Sequence, residues 1–217
     1  MSDFLYPFLD GVGPDVPALL DDLASSAQAK AAISDALRAE TLEREATLIT
    51  ATADAMAARF DAGGRLFTFG NGGSSTDAAS VAVLFAAPPR GGPLPARCLA
   101  DDTAVLSALG NDVGFELVFS RQLIAHARAG DIALGLSTSG GSRNLLAAFR
   151  EARQRDILTI GFAGYDGGEM ARSGDVVHCL VVRSDSVHRI QETQGALAVA
   201  LWSAVQSRLS RDEAARA

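Results

Sequence analysis

Imidazole and thiolate groups are scarce in this chain, with three histidines and two cysteines among 217 residues. Cys98 and Cys179 stand far apart, without the paired spacing of a metal site. They read as free buried thiols in a reducing compartment. His126 and His178 read as packed or exposed side chains, not ligands. No metal and no cofactor is expected. Positive charge is also short: 19 Lys and Arg against 26 Asp and Glu leave a net charge of -7. Nucleic-acid binding leaves a basic footprint, so DNA or RNA is not expected as a direct ligand. Aromatics make up only 6%. The core must therefore come from Ala, Leu, Val and Ile. No apolar run reaches the about 20 residues that a membrane-spanning helix needs. Met1 to Asp10 is acidic and broken by Pro7, with neither the basic nor the apolar region of a secretory signal. A cytoplasmic protein with no membrane partner is expected.

What is present is a large apolar fraction, 48%, in a length that suits one structural unit. Residues 1–62 read as a helical segment. Gly13-Pro14 and Asp15 mark a start, and Leu19, Leu20 and Leu23 fall on one face. A longer helical pattern follows through Ile33, Leu37, Leu42, Leu48, Ile49, Ala53, Met56 and Phe60, until Gly63-Gly64 stops it. This stripe should pack on the sheet domain or on another subunit. Residues 63–210 change pattern. Strands are expected at Arg65 to Phe69, Ala96 to Leu99, Ile132 to Leu136, Leu158 to Phe162 and Val176 to Val182. Helices are expected at Ser74 to Ala86, Phe115 to Ala127, Ser142 to Arg153 and about Ser186 to Leu209. This alternation predicts an α/β fold: a doubly wound parallel sheet with right-handed crossovers and helices on both faces. The segment Ala87 to Pro95 holds four of the seven prolines and reads as a loop.

In such sheets, ligands bind beyond the carboxyl ends of the strands. Two loops at that level carry chemistry. Gly70-Asn71-Gly72-Gly73-Ser74 follows the first strand and opens a helix. Its glycines allow close backbone approach, and the helix start offers free N–H groups to an anion. A plain strand-to-helix turn would explain the same glycines. Ser137-Thr138-Ser139-Gly140-Gly141-Ser142 follows the third expected strand and places four hydroxyls in six residues. Ser142 alone could be a helix cap. One cap does not account for four hydroxyls. No G-x-x-x-x-G-K-[ST] pattern occurs, so this is not a nucleoside-triphosphate loop. A neutral cradle of hydroxyls and amides suits a phosphomonoester.

The loops, with Gly110-Asn111-Asp112, Gly164-Tyr165-Asp166-Gly167-Gly168 and Arg189-Ile190-Gln191-Glu192, resemble the SIS (sugar isomerase) domain family. The likeness is greatest to its phosphoheptose isomerase branch, which includes DiaA-like initiator-associating proteins, and covers about residues 40–208. It implies a five-stranded parallel sheet of flavodoxin-like order and a homotetramer with sites between subunits. It implies that Ser137, Thr138, Ser139 and Ser142 hold the phosphate of a sugar. It places Asn71, Gly72, Ser74, Asp102 and Gln191 around the sugar itself. The branch's reaction isomerises sedoheptulose 7-phosphate through an enediol, which needs a base and an acid.

The departures from that pattern bear on catalysis. Where active members carry a His and a catalytic Glu after the glycine loop, this chain has Ser80 and Leu84. Where they carry a second catalytic His, it has Val199, and a further His position is Gln194. The sugar-contacting Arg of the family falls at Pro88, with Arg90 near. The zinc site of some members cannot form. His188 and Glu192 are the remaining candidates for acid–base work, although a helix-start histidine and an ion pair with a neighbouring Arg would explain them structurally. Asp77 and Asp112 read as loop-fixing residues. Two functions stay open. One is a sugar-phosphate-binding regulator or sensor without isomerase chemistry, for which a protein partner is open. The other is a D-sedoheptulose 7-phosphate isomerase with relocated acid–base groups. A structural oligomer with a vestigial pocket is the third possibility.

Overall fold

The computed structural model describes the backbone of residues 16–216 and the side chains of residues 17–210. The helix start read at Gly13-Pro14 and Asp15, and the stretch Met1 to Asp10, lie outside the described residues. The elements run α1 (Val16–Arg44), α2 (Ala46–Asp61), β1 (Leu66–Gly70), α3 (Gly73–Ala86), β2 (Ala96–Cys98), α4 (Thr103–Asp112), a 3-10 turn (Phe115–Leu117), α5 (Val118–His126), β3 (Ile132–Ser137), α6 (Arg143–Gln154), β4 (Leu158–Gly164), α7 (Gly168–Arg172), β5 (His178–Val182) and α8 (Val187–Arg216). Five strands form one parallel sheet in the order β2-β1-β3-β4-β5. The expected doubly wound α/β architecture is therefore present.

Strand alternation divides the core into two. Leu66, Ile132, Leu134, Leu136, Ile160 and Phe162 turn to one face, where Met56 of α2, Phe85 of α3 and Leu201 and Trp202 of α8 cover them. Phe67, Phe69 and Ala133 turn to the other face, against Phe119 of α5 and Phe149 of α6. Buried β-strands bare on neither face read as continuous apolar runs, and β1, β3 and β4 are buried at every position. The few buried aromatics are shared between the faces, Phe60, Phe85, Phe162 and Trp202 in one core and Phe67, Phe69, Phe119 and Phe149 in the other. Phe69 lies 5.4 Å from Phe119 and 5.3 Å from Phe149, ring centre to ring centre, with tilted planes. Gly135, paired with Phe69 across the β1–β3 ladder, makes room for these rings.

The long amino-terminal helix departs from expectation in two ways. It is interrupted at Glu45, so the pattern from Ile33 to Phe60 is split between α1 and α2. Ile49, Ala53, Met56 and Phe60 of α2 enter the core. By contrast, residues 17–33 of α1 are exposed throughout, including Leu19, Leu20, Leu23 and Ile33. Two helices were not foreseen. α4 has no fully buried residue, although Leu106 and Leu109 pack partly buried on the second core, and the Asp102 side chain caps its start. α7 is a single short turn of five residues.

The amino ends of β1 and β3 are tied by a buried carboxylate. Asp131, 0% exposed, accepts from the Arg65 backbone N–H (2.9 Å), Arg65 Nη2 (2.8 Å) and the Arg128 backbone N–H (2.8 Å). Cys98 is buried and Cys179 half-buried, and both are free thiols. Burial, with Glu45 nearby, pushes the Cys179 thiol up to about 11. None of the described helices is long and apolar enough to cross a membrane.

A Cβ on Gly135 would stand 2.6 Å from the Phe149 ring and 2.8 Å from the Phe69 ring. Gly135→Ala is therefore expected to cost about 1–3 kcal/mol by overpacking. The readout is a lower urea midpoint at unchanged slope, and a midpoint equal to the parent's would contradict this packing.

Candidate functional site

The carboxyl ends of β1 and β3 lie side by side, with Gly70 paired to Leu136. The glycine loop and the hydroxyl loop therefore emerge next to each other. β2 lies on one side of β1 and β3 on the other, which makes this the point where the winding reverses and where such folds bind ligands.

The hydroxyl loop is built from its own bonds. Ser137, buried at the end of β3, accepts from the Gly140 backbone N–H (3.1 Å). Its Oγ lies 3.0 Å from Ser142 Oγ and 3.4 Å from Ser139 Oγ. Ser139 Oγ accepts from the Gly141 N–H (3.2 Å). Accepting from backbone N–H groups leaves the hydroxyl protons to be shared between these O···O contacts and an outside acceptor. The Thr138 carbonyl accepts from Gly164 N–H (2.9 Å), which ties the loop to the end of β4. Gly140 has φ +62°, and a Cβ there would stand 2.1 Å from the Gly167 carbonyl oxygen. Only glycine permits that approach. Ser142 occupies the N-cap position of α6, yet its side chain caps no N–H. The cap reading is corrected: the Ser142 hydroxyl is turned to Ser137 instead.

The glycine loop is held from two sides. Asn71 and Asn144 exchange reciprocal amide bonds, Nδ2 to Oδ1 at 2.9 and 2.8 Å. On the other side, the Gln191 amide of α8 packs so closely on Gly73 that a Cβ there would meet its Nε2 at 2.4 Å. Gln191 Nε2 also donates to Asp77 Oδ2 (3.3 Å). Gly72 caps α3 without a side chain, and Ser74 is buried in its first turn. Asn71, Gly72, Ser74 and Gln191 are thus brought together beside the cradle. Asp102 follows β2, and its Oδ1 accepts from the Val105 N–H (3.0 Å) as the cap of α4, in a surface depression with Arg97 and Asp101. Asn144 was not foreseen as part of the site. Its signal was slight, an amide two residues beyond the last serine of the loop.

Between α3 and α8 a pocket of about 260 Å³ adjoins the cradle, lined by Asp77, Ser80, Val81, Leu84, Leu136, Gln194, Gly195, Ala198 and Val199. Leu84 and Val199 thus meet across the same space. Burial raises the Asp77 carboxyl above the usual carboxylate range, and the Gln191 bond opposes part of that rise. With Asp77 as the only carboxylate and no imidazole or thiolate, the pocket does not fit a zinc ion. His188 and Glu192, exposed on the first turns of α8, do not line it. Glu192 Oε2 accepts from Ser34 Oγ of α1 (2.9 Å), so its partner is a hydroxyl and not an arginine.

A family model described as SIS domain matches residues 31–164, and a second SIS domain model matches residues 115–214. This chain belongs to the SIS-domain family. It is 40% identical over 176 residues to the phosphoheptose isomerase of Roseiflexus sp. (strain RS-1), covering 80% of this chain and 88% of that protein. It is 38% identical over 196 residues to the phosphoheptose isomerase of Geobacter sulfurreducens, covering 88% and 99%. The solved phosphoheptose isomerase structure from Neisseria gonorrhoeae superimposes with a TM-score of 0.79 at 34% identity, over 85% of this chain and 99% of that one. The Francisella tularensis structure gives a TM-score of 0.77 at 30% identity, over 87% and 98%. The SIS fold and the phosphoheptose isomerase-like branch are thereby shown.

Two outcomes follow from the geometry. Asn144→Ala removes both bonds to Asn71, and should lower stability by about 1–2 kcal/mol and speed amide exchange in residues 70–74. Unchanged exchange there would contradict the role given to the amide pair. Asp77 has its carboxyl raised above 3.8 by burial, so its ionisation costs more in the folded than in the unfolded protein. That cost is absent below pH 3.8, grows as pH rises to the folded value, and is full above it. Asp77→Asn should therefore gain melting temperature over the parent as pH rises through the carboxylate range, then hold a constant lead. A lead that shrinks with rising pH would overturn this account.

Proposed function

We propose that the protein binds a phosphorylated sugar at the β1–β3 junction and acts as a sensor or regulator, not as an isomerase. The phosphate sits against Ser137, Thr138, Ser139 and Ser142, and the sugar extends toward Asn71, Gly72, Ser74 and Gln191. The observation that carries this reading is the apolar wall beside the cradle. Val81, Leu84, Ala198 and Val199 line the pocket between α3 and α8, and none of them exchanges a proton. Enediol chemistry needs both a base and an acid, together worth roughly 10²–10⁴-fold or more in rate. The exposed leucines of α1 support an assembly of several copies, a homotetramer as in the family's pattern, and leave surface for a protein partner.

A second reading is a D-sedoheptulose 7-phosphate isomerase with relocated groups. The names of the similar proteins support it. His188 and Glu192 are its sequence candidates, and Asp77 is the titratable group that lines the pocket.

The test is a coupled assay with sedoheptulose 7-phosphate, with melting temperature followed in parallel and Ser137→Ala as control. The expected result is no product above control and a rise of roughly 5–10 °C at a hundredfold excess over Kd. Product that disappears with His188→Ala, Glu192→Ala or Asp77→Asn would establish the second reading. No shift with any phosphosugar would leave a scaffold with a vestigial pocket.

A further inference from the structure

The amino ends of the strands, opposite the serine cradle, hold a second cavity that the phosphosugar reading does not use. It has a volume of about 260 Å³ and lies where Arg65 enters β1 and Pro95 enters β2. Strand alternation decides which side chains reach it. Phe67 turns to the second core, toward α5, and Arg97 is its partner on the parallel β2, so Arg97 points to the same side. Arg65, two residues before Phe67, shares that side, with its guanidinium carbon 5.3 Å from the centre of the Phe67 ring. α5 covers this face and ends at His126, which also lines the cavity. Two guanidinium groups and an imidazole therefore border one space, with Phe67 next to both arginines.

The charge there is unbalanced. Arg65 Nη2 donates to Asp131 Oδ2 (2.8 Å) and to the His126 carbonyl (2.8 Å), which fixes the guanidinium and leaves Nη1 without a partner among the described residues. Asp131 is buried and also accepts from two backbone N–H groups, so its carboxylate does not line the cavity. The side chains of Arg97 and His126 are exposed and make no hydrogen bond or ion pair among the described residues. Asp101 and Asp102 share a separate depression with Arg97 but form no ion pair with it, and Asp102 caps α4. In a chain of net charge -7, this cavity is bordered by cations and by no carboxylate.

That arrangement selects a ligand class. No helix start lines the cavity, and the Leu66 and Ile132 N–H groups at this end of the sheet already donate to the Pro95 and Arg65 carbonyls. The cluster of backbone N–H groups that suits a phosphate is therefore missing. What is offered is guanidinium donors, which match carboxylates, and apolar surface from Phe67 and Pro95. Two carboxylates on a short hydrocarbon chain use both. Because Arg65 is already held by Asp131, little of its freedom remains to be lost on binding.

We propose that this cavity binds a small dicarboxylate. One carboxylate meets Arg97, the other meets Arg65 Nη1 and His126, and the carbon chain lies against Phe67 and Pro95. The site is separate from the cradle and does not depend on the phosphosugar reading.

The experiment follows the ring protons of the three histidines by NMR in the full-length protein as succinate is added, with His126→Gln used to assign the resonances. Succinate is expected to move the His126 resonances with a Kd of about 1 mM or tighter, and to leave those of His188 in place. Arg97→Gln, a change at an exposed side chain, is expected to weaken this binding about tenfold or more, since a charged hydrogen bond is lost. Ser137→Ala is expected to leave it unchanged, and succinamide, neutral on the same carbon chain, to have no effect. His126 resonances that stay in place up to about 20 mM succinate overturn the inference. So does a response that survives Arg97→Gln, or an equal response to inorganic phosphate, which would mark a general anion patch.

Discussion

Everything at the site depends on β1 and β3 being neighbours in parallel. That pairing sets Gly70 against Leu136 and so brings two loops, far apart in sequence, to one level. The β2-β1-β3 order makes the chain leave β1 in one direction and return on its other side, which opens the crevice between the loops. Asp131 fixes the other end of the same pair of strands through both the backbone and the side chain of Arg65. Asn71 and Asn144 then bridge the crevice itself. The site is thus supported at both ends by polar contacts across one ladder, while its faces are closed by two separate apolar cores.

The cradle is a neutral device in an acidic protein. No Lys or Arg belongs to the loop from Ser137 to Ser142. Arg143, next in sequence, is exposed and paired with Glu116 at 3.0 Å. An anion held here is held by hydroxyls and helix-start N–H groups, whose dipoles are fixed by the backbone bonds of the loop. The Ser142 hydroxyl illustrates the trade. Capping α6 would occupy one helix-start N–H. Turning to Ser137 instead leaves the helix-start N–H groups for the ligand. Direct hydrogen bonds of this kind are less sensitive to salt than a cluster of exposed cations, because screening acts on free charges.

The sheet was legible in the sequence because its strands are short apolar runs bounded by Gly and Asp, and each expected strand overlaps an observed one. The two ligand loops were legible for a related reason: glycine and serine at a strand end have few structural explanations. The break at Glu45 was hidden, since the apolar period continues through it from Leu42 to Ile49. α4 was hidden because it is short and only Leu106 and Leu109 pack on the core, neither fully buried. Asn144 and Asp77 show the harder limit. Their meaning lies in partners at positions 71 and 191, and no local pattern announces a contact made across the fold. Asp102, which the resemblance places at the sugar, has a local role that the sequence did not announce, capping α4 through Oδ1.

The replaced positions are coupled, and this is what gives the pocket its meaning. Leu84 on α3 and Val199 on α8 come from separate segments, yet they line one space. A single aliphatic side chain opposite a charged group would leave that group partly desolvated and without a partner. Two together form a consistent low-polarity wall, in which a buried charge would be costly and an alkyl group is favoured. Asp77 responds to that wall: burial raises its carboxyl, and the Gln191 amide compensates in part. Gln194 remains polar at the base of the same wall with no protein partner among the described residues.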